Sequence, residues 1–91
     1  MELYQLKTFV TVAEEGHLTR ASERLHTSQP AVSAHIKSLE EEMGVSLFIR
    51  TPKGMVLTRE GEVLRAKAQT ALDTIEDLYK EASVLKENVV G

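Results

Sequence analysis

SQPAVSAHIKSLEEEMG, residues Ser28 to Gly44, carries the marks of a complete helix. Ser28 suits the N-cap, because its hydroxyl can accept a backbone N–H that the first turn leaves unpaired. Pro30 follows in the first turn, where a missing N–H costs little. Gly44 stands where a left-handed residue would close the helix. Val32, Ile36, Leu39 and Met43 recur at spacings of four, three and four, one apolar stripe. The other face carries Gln29, Ser33, Ala34 and Lys37 near the start and Glu40, Glu41 and Glu42 near the end. Small and hydrogen-bonding groups at the N-terminal end, beside the positive end of the dipole, fit a helix that reads base edges. Carboxylates fit only where the helix has left the phosphates behind. The plainer alternative is an amphipathic helix with a solvated polar face, and the flanking sequence argues against it.

Upstream, residues 2 to 15 read as a first helix. Leu3, Leu6, Val10 and Ala13 mark one face, Phe9 and Val12 widen it, and Gly16 ends it. LTRASERL, residues 18 to 25, reads as a short second helix with Leu18, Ala21 and Leu25 inward and either His17 or Thr19 as cap. His26-Thr27-Ser28 is then a three-residue turn into the Ser28 helix, so residues 18 to 37 form a helix-turn-helix, though without the glycine frequent in such turns.

Downstream, VSLFIRTPKGMVLT, residues 45 to 58, reads as a β-hairpin. Thr51-Pro52-Lys53-Gly54 suits a type I turn. A hairpin in this place is the wing of a winged helix, and Lys53 at its tip with Arg50 at its base can reach phosphates or a narrow minor groove. A lysine on a loop can equally be a solvated charge.

From residue 59 onward runs a proline-free helical pattern, with Thr58 a suitable N-cap. Leu64, Ala68, Ala71, Ile75, Leu78, Ala82, Leu85 and Val89 are spaced alternately four and three apart, a heptad seam, and Val63, Leu72 and Tyr79 flank it. A helix that long spans roughly 45 Å, more than a 58-residue head covers. A partner is therefore expected along the seam: the same helix of a second chain, or a domain outside this chain.

The chain has 91 residues and 42% apolar residues, enough for one small core. It has no cysteine, which excludes a disulfide framework and a cysteine-ligated zinc finger and fits a reducing compartment. The start MELYQLK is not a secretory signal, and no apolar run approaches membrane-spanning length. Net charge is −3, which argues against indiscriminate nucleic-acid binding. Residues 1–58 nevertheless carry six Lys or Arg (Lys7, Arg20, Arg24, Lys37, Arg50, Lys53) against seven Glu, five of them bunched at 14–15 and 40–42, which leaves room for a local basic edge. No glycine-rich phosphate loop and no nucleophile–base pair stands at a recognisable spacing, so an enzyme is not expected. His17, His26 and His35 lie nine residues apart on different elements, a poor spacing for metal, and no cofactor is expected.

With helix-turn-helix, wing and long helix in place, the chain resembles the N-terminal DNA-binding domain of a LysR-type transcriptional regulator. The matching residues are Leu6, Phe9, Ala21, Leu25, the run Thr27-Ser28-Gln29-Pro30-Ala31-Val32-Ser33, then Ile36, Leu39-Glu40, Gly44, Leu47-Phe48, Arg50, Leu57-Thr58 and Gly61. The resemblance implies a mainly α fold: a winged helix-turn-helix over 1–58, with the wing at 46–58, then a linker helix over 59–91 that pairs two subunits, antiparallel. It implies a cytoplasmic bacterial regulator that binds double-stranded DNA at interrupted dyad sites as a homodimer. A small-molecule effector would act through a C-terminal domain absent from this chain.

On that reading base readout falls to Gln29, Pro30, Ser33 and Ala34. Gln29 can donate and accept toward adenine. Pro30 offers an apolar contact to a thymine methyl or only starts the helix, and Ser33 can reach a base or a phosphate. Thr19, Arg20, Ser28 and Lys37 are phosphate candidates, and Thr51 and Lys53 are wing contacts. Arg50 is either a wing contact or an ion-pair partner of a glutamate. The dimer would use Leu64, Ala68, Ala71, Ile75, Leu78, Ala82 and Leu85. Two departures stand out: Ala34 occupies a position often arginine in the family, and His17 replaces a frequent small polar cap. His35 neighbours the reading face but fits better as a solvated or core-edge histidine. The alternative function is a helical protein-interaction module working through the 64–89 seam.

Overall fold

The computed structural model describes residues 1–88; Val89, the last seam position expected above, lies outside them. Four helices and one hairpin follow in order: α1 (Leu3–Glu15), α2 (Leu18–Arg24), α3 (Gln29–Met43), β1 (Phe48–Thr51), β2 (Gly54–Leu57) and α4 (Arg59–Asn88). α1, α2 and α3 pack on one another around Phe9, Val12, Ala21, Val32 and Leu39, none of which has any exposed surface. Ala21 lets α2 come close because its side chain is one methyl. Phe48 closes the core from the hairpin side, edge-on to Phe9 with ring centroids 5.7 Å apart.

The inward face of α1 is rotated from the one its apolar spacing predicts. Phe9, Val10 and Val12 are buried, whereas Leu3 is exposed. Polar residues share the buried face: Gln5, Thr8 and Thr11. The Gln5 carbonyl accepts the Glu2 backbone N–H at 2.8 Å, and its amide donates to Ser38 Oγ at 3.2 Å, so one side chain caps α1 and ties it to α3. Thr8 Oγ1 donates to the Tyr4 carbonyl and lies 3.0 Å from His35 Nδ1. His35 is thus a core-edge residue, held also by the edge of Tyr4 at 4.7 Å.

The turn between α2 and α3 has no glycine because His26 takes the left-handed conformation, at φ 55°. Its N–H donates to the Glu23 carbonyl and that of Thr27 to the Ser22 carbonyl, the paired closure usual where glycine ends a helix. α3 begins and ends as expected: Ser28 Oγ accepts from the Ala31 N–H at 3.2 Å, and Gly44 is left-handed at φ 73°.

The hairpin is shorter than VSLFIR and MVLT predict. Phe48 pairs with Leu57 and Thr51 with Gly54, leaving Pro52 and Lys53 at the turn. Val45, Ser46 and Leu47 lie outside the strand, and other groups take the polar backbone of Ser46 and Leu47. Glu40, placed by the sequence near the end of the polar face of α3, accepts the Leu47 N–H at 2.6 Å and the Phe48 N–H at 3.4 Å. Thr58 donates from Oγ1 to the Ser46 carbonyl and from its N–H to the Leu47 carbonyl, while its Oγ1 accepts the Gly61 N–H at the start of α4. A further backbone bond, Met55 N–H to the Gly16 carbonyl at 2.8 Å, hangs the hairpin on the α1–α2 corner.

α4 leaves the head as one 30-residue helix, and the molecule measures 58 × 25 × 19 Å. Its seam divides. Ala68 is buried in the chain's own core, and Leu64 is half-buried against that core together with Leu72, a flanking residue in the sequence pattern. Ala68 therefore serves the head rather than a partner, and Leu64 packs on the head with part of its surface left open. The distal positions behave differently: Leu78 is 65% and Leu85 57% exposed. Among the described residues no helix is long and apolar enough to cross a membrane.

Candidate nucleic-acid interface

The N-terminal ends of α2 and α3 meet at one surface. Gln29 Nε2 donates to Thr19 Oγ1 at 2.9 Å, and both residues are exposed. At 100° per residue, Pro30, Ala34 and Lys37 lie opposite the Val32–Ile36–Leu39 stripe, and all three are exposed. Ser33, half-buried, sits on the flank of that face. Ser28 uses a lone pair to cap α3, which leaves its hydroxyl proton free to donate outward. Arg20, one residue after Thr19, is exposed on α2.

The hairpin joins this surface from the α2 side. His17, Thr19, Arg50 and Pro52 line one shallow cleft between the start of α2 and the turn. Arg50 and Lys53 are exposed. Thr51 is more constrained than the sequence suggests: its hydroxyl donates to the Gly54 carbonyl and accepts the Lys53 N–H, so it shapes the turn. His17 occupies the N-cap position of α2, which settles the choice between it and Thr19, though without a side-chain capping bond.

The charges are sorted. Arg24 donates to Glu14 at 2.6 Å and to Glu15 at 3.2 Å. Its hydrogen bond to Glu14, then the charge of Glu14 and the bond to Glu15, hold its guanidinium above an arginine's ordinary pKa. Glu42 pairs with the Met1 ammonium at 3.0 Å. Glu40 is engaged by the Leu47 and Phe48 amides. Four of the seven head glutamates are thus occupied within the fold. Arg20, Lys37, Arg50 and Lys53 have no carboxylate partner among the described residues. For Arg50 this removes the glutamate-pair alternative within the described residues. Four unneutralised cations around a small, hydrogen-bonding helix end can take up phosphates on both sides of a groove while α3 faces base edges.

Sequence reasoning placed Thr19 and Gln29 on this surface but not the bond between them. The signal was present in principle, since both lie in the first turn of their helices and a helix-turn-helix brings the two N-termini together.

A family model described as bacterial regulatory helix-turn-helix protein, lysR family, matches residues 3–62. Among curated proteins the chain is similar to the HTH-type transcriptional regulator BsdA of Bacillus subtilis, 44% identical over 92 residues, covering 100% of this chain and 32% of that protein. It is also similar to the HTH-type transcriptional regulator XapR of Escherichia coli, 41% identical over 98 residues, covering 99% of this chain and 33% of that one. The chain spans about a third of the length of these relatives. Among solved structures it is similar to the CbnR DNA-binding domain in complex with DNA (TM-score 0.89, 34% identity, 94% of this chain and 99% of that one). The BenM DNA-binding domain with benA site 1 DNA is another (TM-score 0.91, 32% identity, 97% and 99%).

Proposed function

The chain belongs to the lysR family of bacterial regulatory helix-turn-helix proteins, and we propose that it binds double-stranded DNA in sequence-specific fashion as the homodimeric DNA-binding unit of a cytoplasmic transcriptional regulator. The observation that carries this reading is the sorted charge: Arg20, Lys37, Arg50 and Lys53 are exposed without a carboxylate partner among the described residues, while four of the head's seven glutamates are engaged within the fold. α3 would enter the major groove by its first two turns, with Gln29, Pro30, Ser33 and Ala34 against bases. Ser28, Thr19, Arg20 and Lys37 would hold phosphates, and Arg50 and Lys53 would reach the backbone or minor groove beside it. Effector sensing is assigned to a C-terminal domain, not to these residues.

Dimerisation is proposed through the distal part of α4. Burying one leucine-sized side chain contributes about 1.5–3 kcal/mol, and Leu78, Leu85 and the flanking Tyr79 are all more than half exposed. Ala71, Ile75 and Ala82 complete that face. Two heads so joined present their α3 helices to grooves about one helical turn of DNA apart.

Binding titrations in rising salt test the proposal. Four cations per head, doubled in a dimer, give a slope of log K against log salt of roughly −7 if all meet phosphates. A flat response would count against DNA binding. The exposed distal seam also supports the second reading, a module that recruits foreign helices; light scattering decides, since a stable dimer of the chain favours the first and a monomer the second.

A further inference from the structure

The bond between the two helix starts has a consequence for specificity. Gln29 is a long, exposed side chain at the first position of α3, and left alone it would sample many rotamers. Instead its Nε2 is held at 2.9 Å by Thr19 Oγ1. We propose that Thr19 is a positioning residue that fixes the sense of the Gln29 amide for adenine and couples that readout to a backbone phosphate. This rests on the reading that α3 meets base edges.

The hydrogen-bond inventory drives the inference. An amide has two N–H donors and one carbonyl acceptor. Thr19 takes one N–H, and among the described residues nothing takes the other or the carbonyl. One donor beside one acceptor is the pattern that matches adenine N7 and N6–H₂. The Thr19 hydroxyl proton likewise has no acceptor among the described residues, and Thr19 sits near the start of the helix that crosses the DNA backbone. When that proton goes to a phosphate oxygen, Thr19 can only accept from Gln29. The amide then cannot flip. A flipped amide would turn its carbonyl to Thr19 and offer two donors outward, the pattern that matches guanine N7 and O6. Phosphate engagement thereby selects adenine over guanine at one step of the site.

The test uses the 91-residue chain and duplexes selected from a random pool, each prepared with A·T or with G·C at every position in turn. The readout is the ratio of the two dissociation constants at the position that Gln29→Ala affects. A bidentate contact makes the ratio about tenfold or more in the unaltered chain. Thr19→Val keeps the β-branched shape on an exposed site and removes the hydroxyl; it lowers the ratio by about two- to tenfold, the net worth of one hydrogen bond. Thr19→Ser restores it, and in a Gln29→Ala background Thr19→Val leaves the ratio where it was. If Thr19→Val weakens both duplexes alike and the ratio stands, Thr19 only holds backbone and the coupling is overturned while DNA binding survives. If Gln29→Ala changes no ratio, the coupling is overturned along with the base role of Gln29. Failure of the salt titration, by contrast, would remove DNA binding itself.

Discussion

Gly61 sets two physical effects against each other, and their sizes predict which prevails. It lies in the first turn of α4, where helix propensity alone favours alanine by about 1 kcal/mol. A Cβ built there would stand 3.0 Å from the Leu47 carbonyl carbon and 3.1 Å from Leu57 Cδ2, with the Leu47 oxygen closer still. That oxygen cannot swing aside as a side-chain end would. It is backbone, and it accepts the Thr58 N–H at 3.0 Å, the bond that seats α4 on the hairpin base. Relief requires the helix start and Leu47 to part, which carries an overpacking cost of about 1–3 kcal/mol. It also stretches a hydrogen bond worth about 0.5–1.5 kcal/mol. The propensity gain offsets part of this, so Gly61→Ala is expected to destabilise by about 1–3 kcal/mol. For a domain of this size that lowers the melting temperature by about 5–20 °C. Thermal unfolding by circular dichroism, at one fixed protein concentration because any self-association would shift the midpoint, measures it. Ala66→Gly, on an exposed face of the same helix, calibrates propensity and should cost about 1 kcal/mol. A Gly61→Ala chain that melts at or above the unaltered one would refute the steric account.

Three further outcomes are expected. His26→Gly relieves a left-handed residue at φ 55° but loosens the unfolded chain, for a net gain of about 0.5–1 kcal/mol; a lower midpoint in urea would contradict the turn geometry. Glu40→Ala leaves the Leu47 and Phe48 amides without their acceptor and costs about 1–3 kcal/mol, while Glu40→Gln, which keeps an oxygen there, costs less. If the two variants unfold at the same urea concentration as the unaltered chain, Glu40 is only a solvated carboxylate. Lys53→Ala should weaken binding to all duplexes alike and reduce the salt slope by about 1 per head, measured by fluorescence anisotropy; a change confined to one sequence would move Lys53 to base readout.

How far the sequence carried this fold depends on what kind of signal each element leaves. α3 was legible from end to end because its cap, its stripe and its closing glycine are local and independent. Ser28, Val32, Ile36, Leu39 and Gly44 all stand where the residues alone put them. The wing was legible as a turn, since Pro52 and Gly54 act over four residues, but not as strand lengths. Val45 to Leu47 look like strand by composition, but Ser46 and Leu47 are held instead by Glu40 and Thr58, whose reach is long-range. α1 misled because apolar spacing is blind to buried polar groups, and Gln5 and Thr8 occupy the inward face through bonds to Ser38 and His35. The α4 heptad misled in another way. Spacing shows that a stripe is covered but not by what, and here the head covers Ala68 and part of Leu64 while leaving Leu78 and Leu85 outside. At the interface, the residue types were readable and their coupling was not, because a hydrogen bond between Thr19 and Gln29 depends on the angle between two helices.

The overall acidity of the chain looks at odds with a polyanionic partner until the charge is divided along the fold. Residues 1–58 carry six cations and seven carboxylates, and residues 59–91 carry five and seven, so most of the −3 belongs to the tail. The tail runs out along a molecule 58 Å long. Screening acts over about 8–10 Å at physiological salt, so carboxylates several turns out on α4 barely reach the α3 surface. Within the head, Glu14 and Glu15 are matched by Arg24, Glu42 by the Met1 ammonium, and Glu40 by two amides. What the start of α3, with Arg20, Lys37 and the wing's Arg50 and Lys53, presents is then a local excess of positive charge on a chain that is negative as a whole. A partner held by that excess is attracted most when it lies along the start of α3 and the wing together. Net negative charge thus suppresses loose encounters with nucleic acid and leaves the oriented one favourable.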